Sequence, residues 1–139
     1  MDYDNKKVVE QFIHNAWGRG RYNLARQMVS RDFLYHACQS LDTCGVDEFF
    51  AEVEVIRSAI GDFTLTIEDI MSDGDRAISI MTFCGSFVQP LFGLKPTNKV
   101  VGITCAVTWQ LQRGKVRHLN LMVDMAHLQM QVAAAAAAA

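Results

Sequence analysis

Proline is nearly absent from this 139-residue chain. Its only two, Pro90 and Pro96, fall with Gly93 inside the segment Gln89 to Lys99, which marks that segment as a loop. Positive charge is scarce as well. Thirteen lysines and arginines face 15 aspartates and glutamates, for a formal net charge of −2. Without a basic surplus there is no electrostatic footprint for nucleic acid, and no such partner is expected. No apolar run is long enough to cross a bilayer. Met1 to Lys7 lack the apolar centre of a signal segment, so no membrane role and a cytoplasmic location are expected. The four cysteines, Cys38, Cys44, Cys84 and Cys105, form no C-x-x-C pair. Reduced core thiols are expected rather than disulfides or zinc ligands. Metal-ligand spacing and a glycine-rich phosphate loop are both missing, so no metal or other cofactor is expected.

What is present suits one soluble domain. Half of the residues are hydrophobic and 20% are charged. Ala133 to Ala139 form an unbroken alanine run, read as an addition to the domain and set aside, which leaves 1–132. Val8, Val9, Phe12, Ile13, Ala16 and Trp17 recur at helical spacing, and Gly18 and Gly20 end that helix. A short second helix is expected around Leu24, Ala25 and Met28. A polar stretch runs from Gln39 to Gly45. A third helix carries Phe49, Phe50, Val53, Ile56 and Ile60 on its buried side, with Gly61 as its expected C-cap.

From Phe63 the period falls to two. Ser72-Asp73-Gly74-Asp75 reads as a hairpin turn, followed by a strand from about Ala77 to Val88. Val100 to Leu111 and Lys115 to Val123 read as two further strands around the turn Gln112-Arg113-Gly114. Helices followed by antiparallel strands imply an α+β fold, with helices on one face of a curved sheet. Such a cone has a mouth, and mouths of this kind hold ligands.

At this point the chain resembles the SnoaL-like group of the NTF2-like superfamily. The resemblance is carried by Asn15 to Gly20, Asp32 to His36, Ile67 to Ile70, Asp73 to Arg76, Phe92 to Lys99, Gly114 to Val116, and Asp124. It implies the NTF2-like cone and a homodimer formed through the outer face of the sheet. Where the family's loop carries a turn glycine this chain has Asn98, the non-glycine residue best suited to a left-handed backbone.

The resemblance also implies roles for individual residues. Alternation along the last strand puts Val116, His118, Asn120, Met122 and Asp124 on one face, provided no bulge intervenes. In the family that face lines the pocket, and the residue matching Asp124 is the acid/base. Apolar walls would raise its pKa. The residues alone also allow Asp124 to be the N-cap of a short helix beginning at Met125. His118 and Asn120 are expected to hold a substrate carbonyl or steady Asp124, or else to pair with each other or the backbone. His36 is expected to complete an Asp–His arrangement or to be structural, with Tyr35 a further candidate.

Phe83, Phe92 and Met122 are expected to line a bulky apolar ligand site or to be core. Gln110 stands near the position of a family histidine and cannot carry a proton as imidazole does. At least one of Leu91, Phe92 and Leu94 is expected to pack over the pocket mouth or into a partner. Trp109 and Leu111 give their strand an apolar face that, if outward, needs a partner. The expected function is a cofactor-independent cyclase or isomerase. Its substrate would be an apolar polyketide- or terpenoid-like carbonyl compound of secondary metabolism. A non-catalytic binding or dimerisation module, or a hydrolase or dehydratase using the same pocket, is the alternative.

Overall fold

A computed structural model describes residues 4–37 and 42–138. Cys38 and most of the leading half of the polar stretch lie outside the described residues. Helix α1 (Asn5–Ile13) starts at Asp4, whose carboxylate accepts the Lys7 backbone N–H at 3.1 Å. It runs into a π-helical turn over His14–Gly18, and Gly20 then reverses the chain with φ of +64°. The end of that turn is held by Arg57 on helix α3 (Val46–Ala59). Its guanidinium donates to the carbonyls of Trp17 and Gly18 and lies 5.1 Å from the centroid of the Phe63 ring. Helix α2 (Tyr22–Arg26) is a single turn.

The sheet has six strands in the order β2-β1-β6-β5-β4-β3. Four of them are the long meander β3 (Ile60–Asp73), β4 (Arg76–Phe87), β5 (Val100–Gln112) and β6 (Lys115–Val123), all antiparallel. Two strands were not expected from the sequence: β1 (Val29–His36) and the short β2 (Thr43–Cys44). β1 runs parallel to β6 and antiparallel to β2. Gly61 is not a helix cap. α3 ends at Ala59, and Ile60 is already extended at φ −114°, so helix passes straight into strand. The buried Ala59 carbonyl, left without a helical partner, accepts instead from the N–H groups of Val88 and Gln89, where β4 leaves the sheet.

Odd-numbered residues of β5 face the helices and even-numbered ones face away, as the strict alternation of burial from Val101 to Leu111 shows. The inner face is filled by aromatic side chains. Phe12 of α1 packs edge-on against Trp109 at 5.6 Å, Trp17 against Phe49 at 5.4 Å, and Tyr35 against Phe49 at 4.8 Å. Trp109 Nε1–H donates to the buried Ser79 hydroxyl at 2.9 Å, so that polar tip is satisfied within the core. Trp109 and Leu111 are therefore core residues, and the apolar face of β5 does not point outward.

Beyond Val123 the chain leaves the sheet and forms α4 (Met125–Ala137). The alanine run continues this helix, as the residue with the highest helix propensity should. Gln131 turns back on the edge of β5 that β6 no longer covers. Its side-chain amide accepts the Gly102 N–H at 2.8 Å and donates to the Gly102 carbonyl at 2.7 Å, in place of a strand. In the loop after β4, Leu91 is 4% exposed and Phe92 and Leu94 pack against the core, so none of the three is left in solvent. Asn98 does adopt a left-handed backbone, at φ +58°, and its N–H donates to the Phe87 carbonyl at 2.8 Å.

Candidate functional site

A β-bulge decides where the last strand's side chains point. Gln110 pairs with His118, but the next residue, Leu111, pairs with Val116, so Arg117 is an extra residue on β6. The bulge reverses the alternation. Val116 points inward with Leu119, Leu121 and Val123, while His118, Asn120 and Met122 point to the outer face. The single pocket-lining face expected for Val116, His118, Asn120, Met122 and Asp124 does not form. Sequence alternation carries no mark of a bulge, because Arg117 is polar on either side of it.

The polar candidates still come together, on the outside. His36 pairs with Asn120 across the β1–β6 ladder, and Gln110 lies opposite His118 across β5–β6. Asn120 Nδ2 donates to Thr108 Oγ1 at 3.2 Å. Burial holds the His118 imidazole below the ordinary histidine range, and the neighbouring His36 and Arg117 push it the same way. Beside this cluster run Ile78, Ile80, Ala106 and Met122, so the outer face is apolar and almost uncharged at its centre. Met122 itself is 47% exposed.

Asp124 is not enclosed by apolar walls. It is exposed and sits at the rim of a shallow groove with Ile80, Thr104, Ala106 and Met122. Its carboxylate accepts the His127 backbone N–H at 3.0 Å, which makes it the N-cap of α4. Phe83 is wholly buried in the core, where its ring lies 5.3 Å from that of Phe63. Phe92 packs on the outside of the same core with φ of +52°.

On the inner face the structure assembles polar groups that alternation along β6 could not reveal. Tyr35 is 1% exposed and lies opposite Cys44 across β1–β2. Its hydroxyl donates to the carboxylate of Glu52, on α3. Residue 52 is on the flank of the helical stripe formed by Phe49, Val53 and Ile56, which brings an acid to the edge of the core. Burial pushes the Glu52 carboxyl above the usual carboxylate range, partly opposed by the Tyr35 bond. The Cys44 thiol is raised too, by burial and then by Glu48 and Glu52. The one sequence signal for this group was an acid within an otherwise apolar helical face.

The inner face also has an apolar strip that the helices leave half-covered. Phe63, Leu65 and Ile67 of β3 remain half-buried, although their neighbours Phe83 and Met81, paired with Leu65 and Ile67, are fully buried. Among the described residues no group of three or more His, Cys, Asp or Glu side chains is gathered as a metal would require. No described helix is long and apolar enough to cross a membrane.

A family model described as SnoaL-like polyketide cyclase matches residues 7–132. No curated protein matches the chain. Among solved structures, a protein of Jannaschia sp. CCS1, provisionally described as a SnoaL-like polyketide cyclase, superposes with a TM-score of 0.81 at 16% identity, covering 95% of this chain and 96% of that one. TsrD from Streptomyces laurentii gives 0.80 at 18%, covering 95% and 97%. AclR from Streptomyces galilaeus, provisionally described as a hydroxylase, gives 0.78 at 18%, covering 94% and 85%. Likeness at these identities establishes the NTF2-like fold, on which different chemistries are built.

Proposed function

The chain belongs to the SnoaL-like polyketide cyclase family, and from that membership we propose that it is a cofactor-independent cyclase or isomerase acting on an apolar, polyketide- or terpenoid-like carbonyl compound. The observation that carries this reading is the half-covered strip of Phe63, Leu65 and Ile67 beside Phe83. A flat hydrocarbon skeleton can lie on such a strip, and the chemistry then asks only for a proton to be taken from carbon beside a carbonyl and returned. The positions of Asp124, His36 and His118 support other duties: a helix cap for the first, and an outer-face contact for the two histidines.

The apolar centre of the outer face, around Ile78, Ile80 and Met122, supports a homodimer, as surfaces of this kind are usually covered. The aromatic filling of the inner face favours one competing reading, a non-catalytic binding or dimerisation module. The test is proton exchange into 2-methyl-1-tetralone, an apolar bicyclic ketone, followed by NMR in deuterated buffer containing a chelator and no nucleotide. Exchange faster than in buffer alone is expected. Exchange at the buffer rate would leave the binding module as the better account.

A further inference from the structure

We propose that Glu52, with Tyr35 as its positioning residue, is the acid/base group of this protein's ligand site, and that the reacting carbonyl compound binds against the inner edge of α3. The inference rests on the function proposed above, and it assigns the acid/base role to Glu52, a residue outside the strands, with the candidate Tyr35 as its support. Its basis is placement. Asp124 is exposed and engaged in capping, and both histidine candidates lie across the sheet from the apolar strip. Glu52 is an acid at the border between the helix and the inner face, half-buried rather than sealed, and its carboxylate already accepts a hydrogen bond from a buried phenol.

The chemistry closes on itself. The ionised Glu52 takes the proton from the carbon beside the carbonyl. That C–H bond breaks, an O–H bond forms on Glu52, and the electron pair moves into the enolate. Returning the proton to the same carbon gives exchange, and returning it to a conjugated carbon moves a double bond. Attack of the enolate carbon on a second carbonyl of the same molecule closes a ring. No oxidant, reductant or co-reactant is needed. Burial raises the Glu52 carboxyl above the usual carboxylate range, with the Tyr35 bond opposing it, which makes it a stronger base when ionised. Tyr35 acts through Glu52 by favouring its ionised form. The other ionisable groups near the pair are Cys44 on β2 and Glu48 on α3, and it is the Cys44 thiol that Glu48 and Glu52 both raise.

The test compares wild type, Glu52→Gln, Tyr35→Phe and Asp124→Asn in the tetralone exchange assay. Carbon-13 NMR of labelled glutamate carboxyls runs alongside, with Glu52 identified by its loss in Glu52→Gln. Exchange by Glu52→Gln is expected to fall ~10²–10⁴-fold, while Asp124→Asn keeps the wild-type rate. Tyr35→Phe should shift the pH midpoint of exchange upward, because its bond favours the carboxylate. Wild-type exchange by Glu52→Gln overturns the assignment and leaves the proposed function standing. If wild type does not exchange but tetralone perturbs the Glu52 resonance, the catalytic function fails and the location of the ligand site holds. If neither exchange nor perturbation is seen, both are overturned.

Discussion

The Asp124 carboxylate and the His127 backbone N–H, 3.0 Å apart, fix the corner at which β6 becomes α4. Asparagine caps nearly as well as aspartate, whereas alanine cannot cap at all. Asp124→Asn should therefore keep both stability and turnover. Asp124→Ala should lose about 1 kcal/mol of stability, read from paired urea unfolding curves. An Asp124→Asn protein that is folded yet inactive would return Asp124 to the chemistry.

The outer face should hold two copies together. Light scattering at micromolar concentration is expected to give the mass of a dimer for the wild type. Ile80→Asp or Met122→Asp, each placing a charge on that face, should give the mass of a monomer with an intact circular-dichroism spectrum. A monomeric wild type, or a dimer that ignores both charges, would show that the face is left open.

His118 should make the protein acid-sensitive in a narrow window. Its folded-state pKa lies below the ordinary 6.5, so the unfolded chain binds the proton more readily. Above 6.5 both states are neutral there and nothing is lost. As pH falls below 6.5, proton uptake favours the unfolded state until His118 titrates in the folded protein as well. Between pH 7 and pH 5.5 the wild-type melting temperature should fall more steeply than that of His118→Gln. Parallel slopes would contradict this.

Gly85 is placed where a side chain does not fit. A β-carbon there would stand 2.3 Å from the Gly61 carbonyl oxygen and 2.6 Å from an Ile60 methyl, on a backbone with φ of +155°. Gly85→Ala should force β3 and β4 apart and cost about 1–3 kcal/mol. The reading is the melting temperature, and an unchanged value would mean that β3 yields freely.

Gln131→Leu should expose how far α4 stands in for a strand. The variant keeps the helix but strips both hydrogen bonds from Gly102, leaving a backbone donor and acceptor half-buried without them. A loss of about 1–3 kcal/mol is expected, with faster amide exchange at Gly102. Wild-type protection of that amide would mean that something else satisfies it.

The meander was legible because β3 alternates from Phe63 to Ile67, β5 alternates along its length, and the hairpin turns carry Gly74 and Gly114. The Asn98 turn could be read from residue type alone. β1 was hidden because Val29 to Asp32 do not alternate in burial until Phe33, and its register against β6 is itself irregular. The inversion at Arg117 was hidden for a related reason: a bulge is a property of a strand pair, while periodicity describes one strand. That single extra residue carried His118, Asn120 and Met122 from the expected pocket to the outside. Glu52 was passed over because an acid on a helix flank reads as solvated until the strand packed against it is known.

The pairing of β1 with β6 bears on how the molecule is made. Asp32 and Arg117 are 85 residues apart in sequence, yet they form an ion pair across adjacent strands. During synthesis β1 is made well before its long neighbour β6. Until then β1 has only the two-residue β2 beside it and exposes an open edge. The β3–β4 hairpin can form before β6 is made, but β1 gains its long neighbour only once β6 has been synthesised. A chain cut short before β6 therefore lacks more than a C-terminal strand: it leaves β1 without a neighbour and open to pairing with another chain.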